Sequence, residues 1–185
     1  MLPEKENWQL LKSEEGIEIP LFKIRYDFQK NKRNGKVIKA LVLESQDSVN
    51  VIAVTPKQRI LLVQQLRFGI QKETIELPGG LVDTGESHKQ AAVRELQEET
   101  GFTSENWKYL GAVQSNPVFM NSKIHHWLAL DVKQTAEIKL DDGEAIDLLE
   151  IPIPKVQQLV QKEKIQHPHT LSALARVMNL WKPIF

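Results

Sequence analysis

Between Gly80 and Phe102 the chain reads GLVDTGESHKQAAVRELQEETGF: a turn, a helix and a stop. Ser87 and Gln90 have the spacing of a capping box, and Gly101 stands where a left-handed residue ends a helix. The spacing therefore predicts a helix over about residues 88–100. At 100° per residue, Ala92, Val93 and Leu96 gather on one side, and Glu95, Glu98 and Glu99 on the next. Glu95 and Glu99 are like charges one turn apart, which costs an isolated helix roughly 0.2–0.5 kcal/mol. All three acids lie near the C-terminal end, where the helix dipole disfavours anions. As bare structure the arrangement is a liability. A hard divalent cation, which takes oxygen ligands, would turn it into a site, and Arg94, one turn before Glu98, is placed to pair with that carboxylate.

Gly80, Glu86, Arg94, Glu95, Glu98, Glu99 and Gly101, with Leu96 and Phe102, fit the pattern G-x5-E-x7-R-E-U-x-E-E-x-G-U, where U is a bulky apolar residue. Seven fixed coincidences have a chance probability on the order of 10⁻⁸ or less at any one start position. The stretch resembles the Nudix hydrolase family. The resemblance implies an α/β/α sandwich of the α+β kind, with a mixed sheet and a loop–helix–loop at the box. It also implies hydrolysis of a pyrophosphate bond with Mg²⁺, or Mn²⁺ as the alternative. By resemblance Glu95 and Glu99 are metal ligands, Glu98 is a ligand or lies close behind one, and the Gly79 carbonyl is a further ligand. Gly80, Glu86 and Arg94 are supporting residues.

Three segments outside the box are similar to the ADP-ribose pyrophosphatase branch. Glu76-Leu77-Pro78-Gly79-Gly80 resembles its E-L-P-A-G segment, and Gln65-Leu66-Arg67 its Q-Y-R segment, in which the arginine contacts the diphosphate. Pro117, about 16 residues past the box, stands where that branch carries a proline. The branch takes its catalytic base from a late loop. Asp141-Asp142-Gly143-Glu144 matches that loop, with Asp142 as the base candidate and Glu144 as a metal-side acid, and Glu98 is the alternative base. Aromatic residues of an N-terminal strand stack on the nucleoside base in that branch, often across a dimer; Trp8, Phe22, Tyr26 and Phe28 are the candidates here. The implied reaction is cleavage of a nucleoside diphosphate sugar, ADP-ribose first, to AMP and ribose 5-phosphate. GDP-mannose or another such sugar comes next, and a nucleoside triphosphate pyrophosphatase or a silent nucleotide-binding module are the alternatives.

The 185 residues are 41% hydrophobic, enough for one well-filled core. The expected division is an arm and hairpin strand over 1–36, forming a homodimer, and a hydrolase domain over 37–185. A net charge of zero gives no electrostatic footprint for a nucleic acid, so the expected partner is a small nucleotide sugar. There is no cysteine, no apolar leader and no run of 18 apolar residues, so no membrane partner is expected and the expected compartment is the cytoplasm.

Strands are predicted over 19–29, 37–44, 49–55, 59–66, 73–77, 107–113, 124–132 and 146–153, the first pair joined at Asn34-Gly35. Residues 1–20 read as a docking arm. Two late helices are predicted from Pro154 and Pro168, the second burying Leu171, Leu174, Ala175 and Met178. His125 and His126 should face opposite ways on their strand, and they, His167 and His169 receive no catalytic role, although the 167–170 segment lies where it can tune the sugar pocket.

Overall fold

The box helix forms with the limits its caps dictate. In the computed structural model, which describes residues 7–140, 143 and 145–181, helix α1 spans His88–Thr100. Ser87 and Gln90 satisfy each other's backbone N–H groups, and Gly101 closes the helix at φ 73°. The segment that follows satisfies the last carbonyls: Lys139 N–H donates to Glu98 O, and Thr135 and Ala136 N–H donate to Gly101 O.

α1 lies on one face of a six-stranded sheet built from β4 (Ser48–Val54), β5 (Arg59–Arg67), β6 (Lys72–Glu76), β8 (Asn106–Gln114), β9 (Lys123–Leu130) and β11 (Ile146–Pro152). The order is β11-β5-β4-β9-β8, with β6 paired to β5. β4 and β9 run parallel, and β5 is antiparallel to β4, β6 and β11, so the sheet is mixed. A two-stranded ribbon of β7 (Phe102–Thr103) and β10 (Lys133–Gln134), unforeseen in the sequence, follows α1. Alternation along β4 divides the core. Val49, Val51 and Ala53 meet Ala91, Ala92 and Leu96 of α1, while Ile52 and Val54 face α2 (Ile153–Gln161) and α3 (Pro168–Leu174) through Val156, Val160, Ala173 and Leu174. The expected sandwich is therefore present, each buried leucine contributing about 1.5–3 kcal/mol.

β4 touches β5 only at its far end, at Ala53–Leu61 and Val54–Ile60. Before that point the strands part and the Pro78–Leu81 loop fills the notch. Val51 N–H donates to Pro78 O and Val49 N–H to Gly80 O, both at 2.9 Å, and Val82 N–H donates to Asp47 O.

The chain divides into two compact units. The larger holds residues 47–113 and 123–185, and the smaller holds 1–46 with 114–122. The smaller unit contains an antiparallel meander of β1 (Trp8–Ile19), β2 (Phe22–Asn31) and β3 (Val37–Glu44). The expected boundary at 36/37 falls in the turn between β2 and β3.

Three readings need correction. Residues 8–19 form a strand, and not an arm, because β2 satisfies its backbone although all its side chains are exposed. Val93 is exposed while Ala91 is buried, since the face of α1 that meets the sheet is turned by one residue. α3 ends at Leu174, so Ala175 is exposed and Thr170 joins Ala173 and Leu174 inside.

Replacing Gly101 tests the cap. A Cβ there would be strained by the positive φ and would meet the Ala136 carbonyl oxygen. Gly101→Ala is expected to cost about 1–3 kcal/mol in urea unfolding; an unchanged midpoint would refute the left-handed stop.

Candidate active site

The acids of α1 converge on one guanidinium. Arg94 Nη1 donates to Glu95 Oε1 at 2.8 Å and to Glu98 Oε2 at 3.1 Å. Its Nη2 donates to Glu86 Oε2 at 2.9 Å and to the Leu81 carbonyl at 3.0 Å, and its Nε donates to Glu86 Oε1 at 3.2 Å. Asp83 stands 3.8 Å away. Arg94 thus ties the helix to the loop that precedes it. The hydrogen bond to Glu86 above all, with those to Glu95 and Glu98, raises the guanidinium pKa above its ordinary value despite burial. The same bond holds the Glu86 carboxyl below the usual carboxylate range.

Glu95 and Glu99 are 9% and 3% exposed, so two of the three acids on that side of α1 are buried, while the Glu98 side chain is 41% exposed. Glu99 Oε2 accepts from Gly79 N–H at 2.8 Å. Close approach explains the glycines. A side chain on Gly79 would collide with the Val49 carbonyl, and one on Gly80 would occupy the place of the Glu95 carboxylate. Loop, strand and helix therefore pack with carboxylates between them.

This donor set fits a hard divalent cation. Its side-chain donors are carboxylate oxygens, two of them on buried side chains, and one guanidinium is shared by Glu86, Glu95 and Glu98. Among the described residues no three acids or histidines already form a metal cage. In the arrangement seen, Arg94 and the Gly79 N–H donate hydrogen bonds to carboxylate oxygens that would serve as ligands.

A second cluster lies at the end of β5 and β6, where Arg67 and Glu76 form a bidentate pair. Nε donates to Oε1 at 2.7 Å and Nη2 to Oε2 at 2.6 Å. The arginine side chain is 44% exposed and the glutamate 1%, so a buried carboxylate holds an accessible guanidinium from behind. Burial works to raise the Glu76 pKa, but Arg67, the Thr74 hydroxyl and His167 outweigh it and hold the carboxyl below its usual range. His167 Nδ1 lies 3.3 Å from Glu76 Oε2. The parts played by Thr74 and His167 were missed in the sequence. Thr74 was legible, because it shares a strand face with Glu76; His167 comes from about 90 residues away and left no local signal.

Of the remaining candidates, Tyr26 and Pro117 belong to the smaller unit. The Tyr26 ring lies 4.0 Å from Lys39 Nζ, and Pro117 sits in the turn in which Phe119 and Met120 N–H donate to Asn116 O. Asp142 and Glu144 lie outside the described residues. His126 is fully buried, as alternation allows. His125 is not turned to solvent, for its side chain is 13% exposed and stacks on His88 at 4.2 Å.

The chain matches the NUDIX domain model over residues 44–174 and belongs to the Nudix hydrolase family, whose members generally use a divalent metal ion. It is 32% identical over 143 residues to a methanol dehydrogenase activator of Bacillus methanolicus, covering 76% of this chain and 77% of that protein. It is 30% identical over 142 residues to an ADP-ribose pyrophosphatase of Bacillus subtilis (strain 168), with coverage of 76% and 77%. The crystal structure of an ADP compounds hydrolase superposes with a TM-score of 0.81 over 95% of both chains, at 22% identity, a likeness of fold.

The Glu76 carboxyl sets a pH dependence. Its folded pKa is lowered, so the pair stabilises the protein above the unfolded value of about 4.3 and this is lost as pH falls through the folded value. In urea unfolding between pH 6 and pH 3, Glu76→Gln is expected to lose less stability than the wild type; parallel curves would contradict the assignment.

Proposed function

We propose that the protein is a Mg²⁺-dependent hydrolase of the pyrophosphate bond in nucleoside diphosphate sugars. ADP-ribose is the leading substrate, with AMP and ribose 5-phosphate as products. The observation that carries this reading is the shared cation: Glu86, Glu95 and Glu98 are held around Arg94, with buried Glu99 beside the glycine loop. The ADP-ribose pyrophosphatase among the relatives supports the substrate class.

Bound metal would offset the charge of the diphosphate and help ionise the attacking water. Glu95, Glu99 and the Gly79 carbonyl would hold it, with Glu98 and Glu144 as further oxygen donors. Gly80, Glu86 and Arg94 keep the donors in place. Arg67, aimed by Glu76, would grip the diphosphate through its guanidinium. In the reaction a water oxygen bonds to phosphorus and the bridging P–O bond breaks. The water proton goes to a carboxylate (Glu98, Asp142 or Glu144), and the released phosphate oxygen leaves on the second product. Pro117 and Tyr26 are proposed as substrate contacts, and the protein as a homodimer.

The test is turnover of ADP-ribose, GDP-mannose, ADP-glucose, NADH and dNTPs with Mg²⁺, products being identified. Release of a monophosphate from a diphosphate sugar is expected, abolished by chelator, and Glu99→Gln should lose at least about 100-fold in rate with the fold intact. Turnover confined to triphosphates would overturn the substrate class, and near-normal turnover by Glu99→Gln would overturn the metal assignment.

A further inference from the structure

Among the described residues, two buried side-chain atoms on neighbouring strands have no hydrogen-bond partner. They are Asn50 Oδ1 on β4 and His126 Nδ1 on β9, both fully enclosed. Asn50 and His126 are register partners across the parallel β4–β9 pair, on strands about 4.8 Å apart. Both are in phase with Ile52, Val54, Leu128 and Leu130, and so point to the α3 side of the sheet.

The protons of His126 can be assigned from its neighbours. With the Ser172 hydroxyl donating to the His169 carbonyl at 3.1 Å, its lone pairs face His126 Nε2 at 2.8 Å, an arrangement that suits an Nε2–H tautomer. In that tautomer Nδ1 is a bare lone pair. Burial first, then the charges of Arg176, His169 and His125, keep the ring neutral, with its pKa lowered to about 4. Among the described residues neither acceptor meets a donor, so both carry uncompensated desolvation, and the simplest match is one neutral oxygen that donates two hydrogens. A cation is disfavoured, since neither acceptor is anionic and Arg176 is near.

We propose that Asn50 Oδ1 and His126 Nδ1 bind one internal water molecule, and that the His126–water pair is a positioning device for Arg67. The water fixes the Nε2–H tautomer, and Nε2–H holds Ser172 in α3. The first turn of that helix carries Thr170, whose Oγ1 accepts from Leu77 N–H at 3.1 Å, and it follows His167, which meets Glu76. Glu76 in turn aims Arg67. The pair also backs the glycine loop, because a Cβ on Gly79 would come within 3.0 Å of Asn50 Cα. The effect on Arg67 rests on the proposed function; the water site does not.

The test has two arms. Nitrogen-15 NMR of the full-length wild type should show His126 as the Nε2–H tautomer with a hydrogen-bonded Nδ1, unchanged from pH 8 to pH 5.5, and a slowly exchanging water close to its ring. An Nδ1–H tautomer, titration in that range or no such water overturns the site. In kinetics with the diphosphate sugar that turns over best, Asn50→Leu and His126→Leu should each raise KM about 10-fold, the loss of one hydrogen bond, with kcat within about twofold. His126→Gln, which keeps a donor for Ser172, should restore KM. Unchanged KM in the leucine variants, or a loss confined to kcat or not relieved by glutamine, overturns the positioning role. If the wild type cleaves no diphosphate sugar, the proposed function fails instead, and NMR still decides the water site.

Discussion

The hydrogen bonds of Arg94 are the constraint on which the site depends. One guanidinium meets Glu86, Glu95 and Glu98 and the Leu81 carbonyl. Without it, carboxylates one turn apart would repel on a helix whose dipole already disfavours them. With it, the helix and the loop before it become one body, and two acidic side chains can be buried at low cost. Charge pairing here shapes a site more than it stabilises a fold, because the carboxylates still outnumber the cation that gathers them.

That body needs a place in the sheet, and the parting of β4 from β5 provides it. The Pro78–Leu81 loop occupies the notch as a short substitute strand, hydrogen-bonded to Val49 and Val51. Its carbonyls and N–H groups are thereby fixed against the acidic face of α1. The same divergence carries β6 away to set Glu76 behind Arg67. Two clusters of opposite character, one of shared carboxylates and one presenting a guanidinium, thus arise from one irregularity in strand pairing. On the proposed function, the first would hold the metal and the second would meet the anionic diphosphate.

How far the sequence revealed this depended on the range of each interaction. The limits of α1 were legible because a capping box and a left-handed glycine act within a few residues. The mixed sheet followed from strand and helix order, whereas the parallel β4–β9 pairing within it emerged only from the fold. The Arg94–Glu98 pair was legible at i,i+4 spacing, whereas the bonds to Glu86 and Leu81 needed the loop to fold back. His167 on Glu76 depends on contact across most of the domain, which no periodicity encodes. The 8–19 segment was misread because its apolar residues are all exposed, so no buried face marked it as a strand. α3 was misphased because a helix of seven residues is too short for a 3.6-residue pattern to fix its inward side.

The most direct test of the central claim, that the carboxylates around Arg94 form a divalent cation site, is Mn²⁺ binding followed by electron paramagnetic resonance in the absence of nucleotide. The wild type should bind the ion, and Glu95→Gln and Glu99→Gln should each weaken it by at least about 10-fold while leaving the circular dichroism unchanged. Equal affinity in wild type and variants would show that these carboxylates serve Arg94 and the loop alone, and the account of the site would be wrong.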